Sequence, residues 1–176
     1  MSLDLALIQK AKEYAIGIHT KRNQKYGNKP YDFHLQGVVD YVYKYLDYID
    51  PTYHTAVICA AWCHDVLEDT GESFNDVKDV IGYFAAKIVF NVTDENGLDR
   101  LEKQLKTLPK IMRCEFSTYT KMCDRLSNGN HSKNNKHSMF NKYKKEHILF
   151  KYVLDRKNMY KDMWDELENI FNEKTK

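Results

Sequence analysis

The sequence predicts an all-α fold, organised as a single domain over residues 1–176. Apolar residues recur at spacings of three and four along most of the chain, which is the period of a helix. No run alternates apolar and polar residues over enough positions to indicate a strand, and no two-residue hairpin turn joins such runs. A chain of 176 residues is long enough for one sizeable core. We therefore expect a helical bundle around that core.

The first part of the chain predicts three helices. Residues 3–18 repeat apolar side chains at helical spacing, and the polar stretch 19–34 that follows contains Gly and Pro and is predicted to be a loop. A second helix begins at His34. Pro51 starts a third, which is apolar around so much of its circumference that we expect it at the centre of the bundle. Gly71 is expected to end it.

Two shorter helical segments follow in the sequence. Ser73 and Asp76 have the spacing of a cap for a short helix that ends before Gly82. Residues 83–92 are apolar at helical spacing and predict another helix.

The second half is more polar and its elements are less sharply marked. Residues 93–111 are rich in turn formers and charges, which predicts an exposed connector into a helix somewhere within 109–126. Residues 127–138 are almost wholly polar, and we expect a mobile or substrate-ordered loop. Two amphipathic helices, over 139–154 and 158–172, complete the chain.

The charge and cysteine content narrow the functional class. The 27 basic and 25 acidic residues are interspersed and give a net charge of +2, so no polyanion-binding stripe is present and nucleic acid is not an expected obligatory partner. The first residues have a helical period, not the uninterrupted apolar run of a signal peptide or membrane span. The four cysteines form no CxxC pair, which favours a reducing, cytoplasmic setting.

The stretch AWCHDVLEDT, residues 61–70, carries the first chemical signal. It places His64, Asp65, Glu68 and Asp69 directly after apolar residues. Burying such groups is costly unless something pairs with them, and a divalent cation is the obvious partner.

Two distant residues are candidates to complete a metal site. His34, at the start of the second helix, and Asp124, within KMCDRLSN, are both flanked by apolar residues and would join His64 and Asp65 in a His2Asp2 set. That mixture suits Mn, Fe, Zn or Mg and leaves room for water and a phosphate oxygen. Taken singly, His34 also fits a helix cap or core histidine, and Asp124 an ordinary ion pair.

Further residues could act on a substrate at this site. Glu68 and Asp69 follow the ligand pair at helical spacing, so one of them could act as general base or orient the attacking water. A solvated acidic helix end explains them equally well. Lys25 and Lys121 could bind phosphate or could be surface charges.

Three segments resemble a known family. The pair at 33–34, AAWCHDVLEDT at 60–70 and KMCDRLSN at 121–128 are similar to the HD-domain metal-dependent phosphohydrolases, in particular the hydrolase domain of RelA/SpoT homologues and the small alarmone hydrolases. The resemblance implies an HD-domain helical bundle that holds one Mn ion. It implies four ligands for that ion, which are His34, His64, Asp65 and Asp124.

The resemblance also implies a reaction. In that family the residues corresponding to Glu68 and Asp69 activate water, and the one corresponding to Asn128 helps to hold the nucleotide. The activity is removal of pyrophosphate from the 3′ position of guanosine tetra- or pentaphosphate (ppGpp, an alarmone). This chain departs from the family in QKYGNKPYDFHL, where Gln24 or Lys25 stands in place of a base-stacking Arg.

Two other functions stay open from the sequence. One is an HD phosphohydrolase for another nucleotide, such as a nucleoside monophosphate, and the other is a nucleotide-binding module without turnover. The aromatic residues near the end of the chain indicate either core packing or a homodimer face. They are Tyr143, Phe150, Tyr152, Tyr160 and Trp164.

Overall fold

The protein is helical throughout the described residues except for one short hairpin. The computed structural model describes residues 2–135, 138–156 and 159–172. Its helices are α1 (Leu5–Lys21), α2 (Asp32–Lys44), α3 (His54–Cys63), α4 (Val66–Asp69), α5 (Phe74–Val92), α6 (Arg100–Ile111), α7 (Glu115–Asn134), α8 (Met139–Leu154) and α9 (Lys161–Asn172). Single 3-10 turns, Leu46–Tyr48 and Pro51–Tyr53, link α2 to α3. The all-α prediction is confirmed.

The central position predicted for α3 is confirmed. This helix packs against α1, α2, α5 and α7. Residues 57–63 are all buried, including Trp62, so the helix has no polar face. A helix that is apolar on all sides is stable only inside a protein. Its last turn therefore delivers His64 into the interior of the bundle.

Local signals in the sequence correctly placed several helix ends. The Asp4 side chain accepts a hydrogen bond from the backbone N–H of Leu7 at 2.9 Å and caps α1. Ser73 and Asp76 form a reciprocal capping box at the start of α5. Gly82 interrupts α5 with a φ of +80°, and the helix resumes through residues 83–92 as expected.

The prediction of an exposed connector before α7 is wrong, because residues 100–111 form α6. Asp99 caps this helix by accepting from the N–H of Glu102 at 2.8 Å. Leu108 and Ile111 are buried on one side. Pro109 lies in the last turn, where the loss of one backbone hydrogen bond is tolerated. Charged residues between the apolar positions suggested an exposed connector, whereas the segment is a strongly amphipathic helix.

The predicted polar loop at 127–138 is also wrong for most of its length. Residues 127–134 continue α7, while 136–137 lie outside the described residues. The buried residues of this stretch are small, and a Cβ added at Gly129 would lie only 3.1 Å from the Phe171 ring of α9. Small side chains thus let α7 and α9 approach closely, and low hydrophobicity here does not mean exposure.

A short hairpin precedes α2, where no strand was expected. Strands β1 (Lys25–Tyr26) and β2 (Lys29–Pro30) pair in antiparallel register. The turn begins at Gly27, which has a φ of +62°, as the first central residue of a type II′ turn requires. Two residues per strand are too few to show alternation in the sequence.

The aromatic residues near the end of the chain mostly belong to the core. Phe150, Tyr160 and Trp164 are buried, whereas Tyr152 on α8 is 86% exposed. Helix α8 has the predicted bounds, and α9 begins at Lys161. The predicted start of that last helix, residue 158, lies outside the described residues. Core packing therefore accounts for three of these aromatic side chains.

The close approach at Gly129 gives a stability prediction. We expect Gly129→Leu to lower the free energy of unfolding by about 1–3 kcal/mol, because the added side chain overpacks the α7–α9 contact. Gly17 of α1 is a matched control, since a Cβ there meets nothing within 4 Å. Gly17→Leu should be neutral or stabilising by about 0.5–1 kcal/mol. Urea unfolding followed by circular dichroism measures both, and equal losses would refute the close-packing explanation.

Candidate metal centre

Three helices bring a His-His-Asp cluster together inside the bundle. His34 lies in the first turn of α2, His64 directly follows α3, and Asp124 lies within α7; all three are buried. The two Nε2 atoms are 3.2 Å apart, and Asp124 Oδ1 lies 3.6 Å from that of His34 and 3.8 Å from that of His64. Ligand atoms of this group all lie within 4.8 Å of one another, so the cluster could hold a metal ion.

Asp65 faces the same two nitrogens. Its Oδ2 lies 3.3 Å from His34 Nε2 and 3.0 Å from His64 Nε2. The expected continuous helix through residues 64–70 is wrong, because α3 ends at Cys63 and α4 begins at Val66. Neighbouring residues of a regular helix point about 100° apart. The break between the two helices falls at His64 and Asp65, and there both side chains reach the same cluster.

The hydrogen bonding of His64 fits a metal ligand. Its Nδ1 donates to the backbone carbonyl of Ala61 at 2.8 Å, which leaves the Nε2 lone pair of the neutral ring directed into the cluster. Burial lowers the pKa of His64, but the carboxylates of Asp65 and Asp124 outweigh it and raise the pKa to about 9. The site therefore attracts positive charge, which a divalent cation would supply.

Tyr31 joins the cluster to the acidic end of α4. Its hydroxyl lies 2.6 Å from Asp65 Oδ2 and 3.0 Å from Asp69 Oδ2. Burial and the charge of Asp65 raise the pKa of Tyr31, so the phenol keeps its proton and acts as a donor. The sequence analysis missed this residue. Its only local signal is the position three residues before His34, on the same side of the helix that begins there.

Glu68 and Asp69 lie at the surface edge of the cluster. Glu68 Oε2 accepts from the backbone N–H of Asp94 at 3.2 Å, and Asp69 is linked to Asp65 through Tyr31. Both residues are exposed, yet partial desolvation raises the pKa of each carboxyl group, and the charge of Asp65 adds to this effect. A raised carboxyl pKa is the direction that suits a general base working near neutral pH.

Two of the three predicted substrate contacts adjoin Asp124. Lys121 Nζ lies 3.2 Å from its Oδ2, and Asn128 Nδ2 donates to its Oδ1 at 2.5 Å. Both side chains line a cavity of about 140 Å³ together with Arg100. Lys25 instead lies exposed on β1 and lines another cavity, of about 160 Å³. A larger groove of about 790 Å³ lies on α8 and α9, away from these groups.

The fold matches that of a known hydrolase. No protein-family model matches the chain. A solved structure described as a metazoan orthologue of SpoT, which hydrolyses ppGpp, superposes with a TM-score of 0.78. The match covers 98% of this chain and 97% of that chain at 22% sequence identity. Among the described residues, every helix is too short or too polar to cross a lipid bilayer.

The sequence relatives identify the family. A guanosine-3′,5′-bis(diphosphate) 3′-pyrophosphohydrolase MESH1 from Xenopus tropicalis is 32% identical over 130 residues, 73% of this chain and 70% of that protein. The MESH1 of Danio rerio is 31% identical over 111 residues, 61% of this chain and 59% of its own length. Together with the cluster, these relatives identify an HD-type hydrolase. The chain belongs to the MESH1 family, which confirms the resemblance noted in its motifs.

Removing one member of the cluster tests it as a metal site. We expect His64→Ala to lower Mn²⁺ affinity by more than about a hundredfold, since the loss of even an outer-shell partner costs about 10–100-fold. His54→Ala is the control, because His54 bonds the backbone carbonyl of Ile49 and lies outside the cluster. Metal analysis after dialysis and titration calorimetry measure both variants. Equal metal content in the two variants would contradict the assignment.

Proposed function

We propose that this protein is a Mn²⁺-dependent guanosine-3′,5′-bis(diphosphate) 3′-pyrophosphohydrolase. The observation that carries the proposal is the convergence of two histidines and an aspartate from three helices, in a chain whose relatives bear that name. Water attack on the phosphorus attached to the 3′ oxygen forms one P–O bond and breaks the bond to that oxygen. The products are pyrophosphate and a nucleotide with a free 3′-hydroxyl.

Four residues would hold the cation in this proposal, and they are His34, His64, Asp65 and Asp124. Their mixture of imidazole and carboxylate suits Mn²⁺, with Fe, Zn and Mg as the alternatives. When bound, such a cation lowers the pKa of a water molecule and neutralises charge on phosphoryl oxygens. The Nε2 lone pair of His64 and the carboxylate oxygens that face it are the donors this role needs.

The acidic pair on α4 would handle the proton of the attacking water. Asp69 is the better-positioned member, because the Tyr31 hydroxyl bridges it to Asp65 and fixes its orientation. Glu68 is oriented by the N–H of Asp94 on the other side. We assign general base catalysis to this pair, and its raised pKa values favour proton uptake from water.

Basic side chains beside the cluster would bind the substrate phosphates. Lys121 is placed to do so from next to Asp124, and Asn128 lines the same cavity. Arg100 and Arg125 also line it, and both donate to Glu146, at 2.6 and 3.0 Å. One carboxylate between two guanidinium groups leaves a net positive charge on this trio, while Asp94 and Asp124 line the same cavity. We also propose Lys25 as a substrate contact from the hairpin.

One structural feature favours a second candidate function. Gln24 or Lys25, at the start of the hairpin, stands where the resemblance implies an arginine that stacks on guanine. A different base, or a nucleoside monophosphate, is therefore the alternative substrate class. A nucleotide-binding module without turnover has less support, because binding alone does not need the acidic pair on α4.

Two expectations about context also stay proposals. We propose a cytoplasmic location, in keeping with four free cysteines, three of which are buried. We propose a homodimer as the candidate assembly, and of the five aromatic residues near the end of the chain Tyr152 on α8 is the exposed one.

A nucleotide panel tests the reaction. With Mn²⁺ present, guanosine 3′,5′-bis(diphosphate) should release one equivalent of pyrophosphate, and a chelator should abolish the release. Nucleoside monophosphates should release little orthophosphate, because the proposed reaction breaks a pyrophosphoryl ester. Ion-exchange chromatography of the products measures both. Preferential release of orthophosphate from monophosphates would favour the alternative substrate class.

Substitution of the acidic pair tests its role separately from metal binding. Asp69→Asn should lower kcat by about 10²–10⁴-fold, the usual contribution of a general base, while Mn²⁺ content stays near that of the wild type. Glu72→Gln is a matched control beyond the end of α4, where Glu72 accepts from the Tyr14 hydroxyl. Steady-state kinetics with metal analysis distinguishes the outcomes. Loss of metal together with activity would assign Asp69 a ligand-holding role instead.

A further inference from the structure

Tyr26 adjoins two members of the metal cluster, since it reaches Asp124 through Asn128 and stacks on His34. From β1, its hydroxyl donates to Asn128 Oδ1 at 2.7 Å, and the same amide donates through Nδ2 to Asp124 Oδ1 at 2.5 Å. This Oδ1 is the Asp124 oxygen that faces the two histidine nitrogens, at 3.6 Å from His34 Nε2 and 3.8 Å from His64 Nε2. The ring of Tyr26 stacks on that of His34, with centroids 4.7 Å apart and planes inclined by 17°.

The Tyr26 hydroxyl and the Asp124 carboxylate together hold the Asn128 amide in one orientation. A phenol that donates to Oδ1 leaves Nδ2 to face Asp124, where it donates to the carboxylate. The reversed amide would place its oxygen against the carboxylate and lose the hydrogen bond to Asp124. A phenol keeps its proton at neutral pH, because the ordinary pKa of tyrosine is about 10, and the Tyr26 hydroxyl can therefore act as the donor.

The ring of Tyr26 restrains His34, which lacks, among the described residues, the hydrogen bond that usually orients a ligand histidine. His64 is fixed by the hydrogen bond from its Nδ1 to Ala61. In the part of the chain that the structure describes, the buried Nδ1 of His34 has no hydrogen-bond partner. Ligand histidines almost always use that second nitrogen for orientation. For His34, packing against Tyr26 therefore takes over the task of fixing the ring.

We propose that Tyr26 is a positioning residue that preorganises His34 and Asp124 for the cation. It acts through the Asn128 amide on one side and through ring stacking on the other. This inference rests on the metal site of the proposed function. It also gives Asn128 a role in orienting a metal ligand, in addition to any contact with substrate.

Metal affinity measured without substrate tests the inference. Tyr26→Phe, which keeps the ring, should weaken binding of Mn²⁺ to the metal-free protein by about tenfold, the low end for an outer-shell partner. Tyr26→Leu should weaken it further because the stacking is also lost. Tyr152→Phe, at an exposed position of α8, is the control and should bind as the wild type does. Titration calorimetry with Mn²⁺ alone gives these affinities.

A double-substitution cycle separates positioning from a general structural effect. In an Asn128→Ala background, Tyr26→Phe should cost no further Mn²⁺ affinity, since the hydroxyl then has no amide to orient. Excess Mn²⁺ should restore the kcat of Tyr26→Phe. Unchanged affinity of Tyr26→Phe, or additive losses in the cycle, would overturn the inference and leave the proposed function standing. Failure of the wild type to bind Mn²⁺ would overturn both.

Discussion

The structure depends on one electrostatic constraint, which is the meeting of two imidazole nitrogens 3.2 Å apart in a buried pocket that also contains two carboxylates. Lone pairs and negative charges brought together out of water repel one another unless a positive charge lies between them. A proton on His64 meets that need in part, and a divalent cation meets it fully. The rest of the bundle makes this unfavourable meeting possible.

Apolar burial in the core of the bundle supplies the free energy that offsets the cost of bringing these groups together. Helix α3 is buried on all sides and packs on four neighbours, so the position of His64 at its end is fixed by apolar contacts and not by the site itself. His34 and Asp124 come from α2 and α7, which pack against each other and against α3. Rigid supporting helices of this kind allow a ligand set to be held ready before the cation binds.

A second layer of the site comes from the segment between α1 and α2. Tyr26 and Tyr31 both lie there, and their hydroxyls contact Asn128 on one side of the cluster and the carboxylates of Asp65 and Asp69 on the other. Burial raises the pKa of both phenols, so each remains a hydrogen-bond donor. Through Tyr31, this segment thus connects a metal ligand, Asp65, to Asp69, which we propose acts on water.

The sequence by itself determined the helical class, several helix ends and the acidic and imidazole groups of the cluster. Helical periodicity, caps such as Ser73 and the run at 64–69 are local patterns, and they can be read without knowing what packs against them. The tertiary structure alone decided that residues 127–134 are helical and that Tyr26 and Tyr31 belong to the site. Gly129 is buried because α9 packs on it and Ser127 because α2 does, and the Tyr26–Asn128 hydrogen bond joins residues 102 positions apart. Contacts at that separation leave no periodic trace in the sequence.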